Sequence, residues 1–252
     1  MKTVKVVFWL VVALVVLVGG AAGSSYWWLD GAARKLVEQE GSDALGVTVT
    51  LEKLSIGVLK GEATLAKLKV ANPPGCEKPY FFELDGGSTA LNLRTVMEEE
   101  IVMTSLELSG LVMHIEPVEG TDKYNYDVIL EHAQKYGEAE KDKPQDDSEK
   151  KLVIERLVIR DIKVYYKTKV FVTTPSHIDE IVITDIGREG GGVDMGQLTS
   201  MIIAGTLEGV AKELPSAIGN GILSGLEGVG GLGKMGVKAV GGSLKKLNPF
   251  GK

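Results

Sequence analysis

Two segments of alternating residues decide the fold: IVMTSLELSGLVMHI at residues 101–115 and LVIERLVIRDIKVYY at residues 152–166. Apolar side chains at every second position predict β-strands with one apolar face. Set side by side, the two segments match apolar with apolar at most positions. The matched pairs include Leu106 with Leu157 and Leu108 with Ile159. We interpret the segments as an internal repeat of one strand-turn-strand unit, with chance similarity between two amphipathic segments as the alternative.

Further strands and helices are predicted from the periodicity of the remaining chain. Period-two alternation predicts strands at 47–51, 62–70, 88–94, 101–108 and 111–115, and their close spacing favours antiparallel pairing. Helical periodicity predicts helices at 29–45, 125–136 and 195–213. The expected fold class is therefore α+β, mainly β. We expect an N-terminal transmembrane helix, an antiparallel curved sheet or groove in two halves, a C-terminal helix and a glycine-rich amphipathic tail.

The N-terminal segment is apolar and uncharged from residue 6 to residue 22, which predicts a single membrane span. Lys2 and Lys5 precede it, so the N-terminus is expected in the cytoplasm and the rest of the chain outside. A cleaved signal peptide, cut near Ala22, is the alternative. The residues expected to form the anchor and its interfacial aromatic belt are Val6, Phe8, Trp9, Leu10, Leu14, Leu17, Tyr26, Trp27 and Trp28.

Composition changes along the chain indicate five regions. They are an anchor at 1–25, a first β-rich part at 26–136, a linker at 137–150, a second β-rich part with a closing helix at 151–213, and a tail at 214–252. The linker is dense in charge, which predicts disorder. The tail carries apolar residues at roughly helical spacing among glycines, and we expect it to contact a membrane surface. Its candidate membrane-contacting lysines are Lys234, Lys238, Lys245 and Lys246.

Several function classes receive no support from the residues. With 28 Lys+Arg against 34 Asp+Glu and a formal net charge of -6, the chain is not expected to bind nucleic acid. The glycine-rich run at 228–234 has the spacing of a phosphate-binding loop, but Met235 stands where such a loop needs Ser or Thr. The three histidines have no partner at metal-ligand spacing. We therefore expect no metal, no cofactor and no enzymatic activity.

Three parts of the sequence resemble AsmA-like proteins. They are GVTVTLEKLSIGVLKGEATLAKLKVANPPG at 46–75, the pair Asn125-Tyr126 that introduces a helix, and SHIDEIVITDIGREGGGVDMGQLTSMIIAGTLEGVAKE at 176–213. The resemblance covers most of the chain from the anchor to about residue 213. This chain is shorter than the larger AsmA-like proteins, and its glycine-rich tail has no counterpart in the family pattern.

The resemblance implies a bacterial inner-membrane protein with its domain in the periplasm and a role in lipid binding or lipid transport in the cell envelope. Candidate lipid-facing strand residues are Leu106, Leu108, Leu157 and Ile159, although for any one of them we favour a place in an ordinary closed core. The expected partner is membrane lipid, with envelope proteins or a second copy as further candidates. The alternative function is that of a scaffold, a β-sandwich similar to LEA-type domains that binds other envelope proteins.

Overall fold

The computed structural model describes residues 27–57, 60–95, 98–141, 151–168, 175–188, 191–193, 195–226 and 235–241. Four helices and seven strands lie within these ranges. In chain order they are α1 (Trp27–Leu45), β1 (Val49–Gly57), β2 (Glu62–Ala71), β3 (Tyr80–Leu91), β4 (Glu100–Ile115), α2 (Asn125–Lys141), β5 (Lys151–Tyr166), β6 (Ser176–Ile186), α3 (Met195–Glu213), α4 (Ser216–Gly225) and β7 (Gly236–Gly241). The mixed, mainly β class predicted from the sequence is confirmed, and the predicted bounds of α3 are confirmed as well.

All seven strands form one sheet in the order β1-β2-β3-β4-β5-β6-β7. Every neighbouring pair is antiparallel except β4 and β5, which run parallel. The expectation of a wholly antiparallel sheet in two halves is therefore wrong at its centre. The reason is that α2 lies between these two strands in the chain, and a helix is the usual crossover that joins parallel neighbours.

The parallel pairing of β4 and β5 explains the sequence similarity between residues 101–115 and residues 152–166. Ile101 pairs with Leu152, Leu106 with Leu157, Leu108 with Ile159 and Ile115 with Tyr166, so the sequence match is also the strand register. The predicted turn inside each segment is wrong, because each segment is one continuous strand. Gly110 and Asp161 instead adopt positive φ values of 69° and 55° within their strands and are left out of the direct pairing.

Gly110 shows why a residue without a side chain is needed at this irregularity. A Cβ atom there would lie 2.5 Å from Oδ2 of Asp85 on β3, in addition to the strain of the left-handed backbone. A residue in the left-handed conformation interrupts the alternation of a strand, here without a shift of register, because Ser109 pairs with Arg160 and Leu111 with Ile162. The apolar face therefore passes from even-numbered to odd-numbered positions in β4, where Leu106 and Leu108 are followed by Leu111 and Met113. In β5 it passes from odd-numbered to even-numbered positions, where Leu157 and Ile159 are followed by Ile162 and Val164.

The helices lie mostly against one face of the sheet. The strands β5, β6 and β7 pack against α3, which in turn contacts α2 and α4, while α1 contacts β1 and α2. One cluster of buried apolar side chains joins the sheet to these helices. In α1 the last turn is closed by Gly46, whose backbone N–H donates to Ser42 and whose φ is 68°.

Two predicted boundaries at the linker and tail differ from the structure. Helix α2 continues to Lys141, so residues 137–141 of the predicted disordered linker are helical, while residues 142–150 lie outside the described part. In the tail, the predicted helical stripe is wrong at β7, where Val237 and Val240 belong to a strand paired with β6. Alternation over so few residues, between glycines, does not separate a strand from a helix.

Candidate functional site

Apolar side chains on the helix side of the sheet form transverse rows. Residues that pair directly across neighbouring strands point to the same face. The Leu65 row consists, in strand order, of Leu54, Leu65, Gly87, Leu108, Ile159, Ile181 and Ala239. The Leu106 row consists of Ile56, Ala63, Thr89, Leu106, Leu157, Ile183 and Val237. These two rows are the floor on which the helices pack.

The part of both rows that lies on β5 and β6 is completely covered by α3. Ile181 and Ile183 are each 0% exposed. Two glycines of α3 allow this approach, since a Cβ on Gly209 would lie 2.7 Å from Ile181 and one on Gly205 would lie 2.9 Å from Ile183. Such contacts require that the helix backbone rests directly on the sheet. This half of the floor is ordinary closed core.

The part of the same rows that lies on β1, β2 and β4 is only partly covered. The helix α2 contributes four residues to the buried cluster, the last of them Ala133, and its remaining turns carry mostly polar residues. A set of apolar side chains below it stays half-buried, and we call this set the apolar patch. Its members are Leu54, Ile56, Leu65, Met103, Leu106 and Leu108.

The strand β3 crosses the apolar patch without a bulky side chain at its middle. Gly87 lies between Leu65 and Leu108, and a Cβ there would lie 2.7 Å from Cδ2 of Leu108. The side chains of Leu108 and Leu65 close over Gly87, since an added Cβ would also lie 3.5 Å from Cδ1 of Leu65, so leucine side chains fill the patch at β3. None of its members is charged, so what it can bind chemically is hydrocarbon.

The opposite face of the sheet is polar. Arg160 at its centre contacts Glu107 of β4 at 3.0 Å and Glu180 of β6 at 3.1 Å, and Lys69 contacts Glu83 at 2.8 Å. These ion pairs are exposed and contribute little to stability. They show that this part of the face contacts water, although Val158, which lies on the same face between Glu107 and Val182, is only 1% exposed.

The outer edge of β1 is covered by a ladder of polar side chains on α1, which we call the edge ladder. Its members are Asp30, Arg34, Glu38 and Ser42, spaced four residues apart on one side of the helix. Backbone N–H groups of Ile56, Leu51 and Val49 donate to Asp30, Glu38 and Ser42 at 3.0, 2.8 and 2.9 Å. The Arg34 guanidinium donates to the Glu52 carbonyl at 3.2 Å.

The edge ladder fixes the direction of α1. Because Asp30 bonds to the end of β1 and Ser42 to its beginning, α1 runs antiparallel to β1. The start of α1 thus lies beside Ile56 and the turn that follows β1, and we call this the near end of the sheet. The apolar patch includes Ile56 and Met103 and so extends toward the near end. Sequence reasoning missed the ladder, although the four-residue spacing of polar residues was its signal.

The four strand residues predicted to face lipid divide into two pairs. Leu106 and Leu108 belong to the apolar patch. Leu157 and Ile159 are 0% and 1% exposed beneath α3, so their prediction as lipid-facing residues is corrected: they belong to the closed core. The patch residues that sequence reasoning missed are Leu54, Ile56, Leu65 and Met103, each an apolar member of an alternating strand.

The predicted anchor and tail residues fall largely outside the described part. Residues 1–26, which contain the predicted span and Tyr26, and residues 242–252, which contain Lys245 and Lys246, are not described, and neither is Lys234. The backbone of Trp27 and Trp28 forms the first turn of α1. The side chain of Lys238 is exposed on β7, on a strand rather than on the helical stripe that was predicted. Of the helices that the structure describes, none has the length and apolar character to cross a membrane.

The opposite end of the sheet, where β4 ends at Ile115, is called the far end. It carries a cavity of about 820 Å³, lined by residues that include Cys76, Glu116 and Lys167. Glu116 is 3% exposed, and its carboxylate accepts hydrogen bonds from Asn72 Nδ2 and from the backbone N–H groups of Glu77 and Lys78 at 3.0, 3.2 and 2.9 Å. This buried carboxylate therefore holds the turn after β2 in place. Its bonding is that of a structural group.

Cys76 in this cavity is a poor nucleophile. Burial, followed by the negative charge of Glu116, raises the pKa of its thiol to about 11. The reactive form of cysteine is the thiolate, and a thiol with such a pKa stays protonated at neutral pH. Among the described residues, no group of three or more His, Cys, Asp and Glu side chains is placed to hold a metal ion.

Comparison with protein-family models finds no match for this chain, and comparison with curated proteins finds none either. The geometry of the apolar patch is therefore the main guide to function.

Proposed function

We propose that this chain is a membrane-anchored periplasmic protein of AsmA-like type that binds lipid acyl chains on its apolar patch and helps distribute lipid within a bacterial envelope. One observation carries the proposal. The Leu65 and Leu106 rows are fully buried on β5 and β6 but stay partly exposed on β1, β2 and β4. Half-covered apolar surface beside a closed core is typical of a binding site for an apolar ligand.

The dimensions of the apolar patch suit hydrocarbon chains. At about 4.8 Å per strand spacing, the four strands from β1 to β4 give it a width of roughly 14 Å. Two acyl chains lying side by side fit that width. The leucine side chains that close over Gly87 give the acyl chains a continuous apolar floor at β3.

The position of the patch supports a lipid source close by. The predicted span at 6–22 precedes α1 in the sequence, and α1 begins at the near end, toward which the patch extends. A lipid that leaves the outer leaflet beside such an anchor meets the patch first. The function proposed is binding and transfer without chemistry, so no residue has a catalytic role in it.

The proposal is tested by crosslinking in membranes of cells that make the full chain. A photoreactive benzophenone amino acid replaces Leu65 in one variant and its neighbour Thr64 in a matched control, which points to the polar face of the same strand. We expect phospholipid, detected by mass spectrometry, on the chain labelled at 65 and none at 64.

Two outcomes contradict the proposal. Equal crosslinking of lipid at positions 64 and 65 would show that lipid contacts both faces of β2, so that the apolar patch is not a specific binding site. A protein attached at 65 in place of lipid favours the scaffold function. Folding of both variants is checked by their melting temperatures, because Leu65 is only partly buried and tolerates a larger side chain.

A further inference from the structure

Two turns meet at the near end and present an exposed leucine. Leu93 follows β3 and is 43% exposed, and its side chain lies against Gly61, which precedes β2. The backbone N–H of Leu91 donates to the Gly61 carbonyl at 2.7 Å, so the two turns are joined. We call Lys60, Gly61, Leu93 and Arg94 the turn surface.

The exposure of Leu93 is imposed by a well-bonded turn. Thr95 is buried, and its hydroxyl donates to the Asn92 carbonyl at 2.8 Å and accepts from the Val102 N–H at 2.9 Å. The Thr95 N–H also donates to Asn92. A turn held at so many points keeps part of the Leu93 side chain in water beside Gly61, and this exposure has a cost for an apolar side chain unless something covers it.

The charges near Leu93 suit an interface between water and lipid. Lys60 and Arg94 are exposed on either side of it, and long basic side chains can lie with their stems in an apolar layer and their charges in water. Glu98 and Glu99 are exposed further along the same connection. Because acids and bases are both present, attraction to anionic lipid is weak, and the apolar contact of Leu93 decides the partner.

The edge ladder sets the height of the turn surface. Asp30 bonds to Ile56, one residue before β1 ends, and α1 begins three residues before Asp30, a rise of about 4.5 Å. The start of α1 is thus level with the turn surface. Because only residues 23–26 separate the predicted span from α1 in the sequence, the expected membrane surface lies near the same level.

We propose that the turn surface docks onto the lipid bilayer with Leu93 inserted among the headgroups, so that the near-end side of the apolar patch is held at the membrane. This inference rests on the proposed membrane anchor. It adds a second contact, which prevents the domain from tilting away from the bilayer on its single tether.

The test uses the full chain in phosphatidylcholine liposomes. In a Cys76→Ser background, an environment-sensitive fluorophore is attached to Leu93→Cys or, as a control, to Glu119→Cys at the far end, where the side chain is exposed. We expect blue-shifted emission at 93 that nitroxide-labelled lipids quench several-fold, and neither effect at 119. Similar spectra and quenching at both positions overturn the docking.

Flotation of the same liposomes separates this inference from the function on which it rests. A chain that floats with the liposomes while the probe at 93 stays in water keeps its anchor and loses the docking. A chain that does not float lacks the anchor, and both proposals then fail. As a second measurement, Leu93→Glu should lower lipid crosslinking at position 65 several-fold without changing the melting temperature, and unchanged crosslinking contradicts the docking.

Discussion

The β5–β6 half and the β1–β4 half of the sheet carry the same apolar rows but are covered differently. On β5 and β6, α3 lies so close that Gly205 and Gly209 touch the isoleucines below them. On β1, β2 and β4, the leucines of the same rows remain half-buried. Alternation in a strand therefore specifies an apolar face, and the helices decide whether that face is core or surface. The two glycines of α3 are the reason that the apolar rows on β5 and β6 are completely buried.

The largest expected effect separates the two halves directly. Leu157→Ala removes a fully buried side chain beneath α3, whereas Leu106→Ala changes its direct neighbour in the same row, which is only partly buried. We expect Leu157→Ala to lower the free energy of unfolding by about 3–4 kcal/mol and Leu106→Ala by about 1 kcal/mol, because the cost follows the burial lost and the cavity left. Chemical denaturation measures both, and equal losses would contradict the difference in cover.

A smaller loss of stability is expected when a hydrogen bond between α1 and β1 is removed. Glu38→Ala leaves the part-buried Leu51 N–H without its acceptor. The free energy of unfolding should fall by about 1 kcal/mol, which is typical of one lost hydrogen bond. Gln39→Ala, at the exposed neighbouring position, is the control and should change little. If the two variants have the same stability, the edge ladder does not hold β1.

The smallest expected effect is a pH dependence of stability that comes from the Cys76 thiol at the far end and is absent at neutral pH. The folded-state pKa of Cys76 is about 11, above the ordinary value of 9.0. Between these values the unfolded chain loses the thiol proton while the folded chain keeps it, so stability falls as pH rises from about 9 to 11. Cys76→Ser should make this fall shallower in denaturation curves recorded across that range. An unchanged slope would show that the thiol is not held neutral by burial.

The sequence predicted much of the sheet for a specific physical reason. Alternation in residues 101–115 and 152–166 follows from one buried face, and the match between the segments proved to be the register of β4 against β5. The helix Met195–Glu213 was predicted at its observed bounds, because Pro215 cannot continue a helix easily.

Other features depend on contacts that alternation does not encode. The parallel pairing of β4 and β5 depends on where α2 crosses, and the strand assignment of Gly236–Gly241 depends on β6 as its partner. Leu157 and Ile159 are buried whereas Leu106 and Leu108 are only half-buried, and this difference depends on how far across the sheet α3 extends. Of the residues that the sequence marked as candidates to face lipid, Leu106 and Leu108 lie in the apolar patch, but the sequence did not predict the extent of the patch.

The edge ladder on β1 also has a consequence for assembly. An uncovered edge strand recruits strands from other molecules, and sheets with two such edges polymerise head to tail. Here the N–H groups of Val49, Leu51 and Ile56 are already bonded to α1, so a second copy finds no partner groups at these points. Among the described strands, β7 is the other edge. Growth of a fibre requires that strands are added at both edges, and α1 removes the β1 edge from that process.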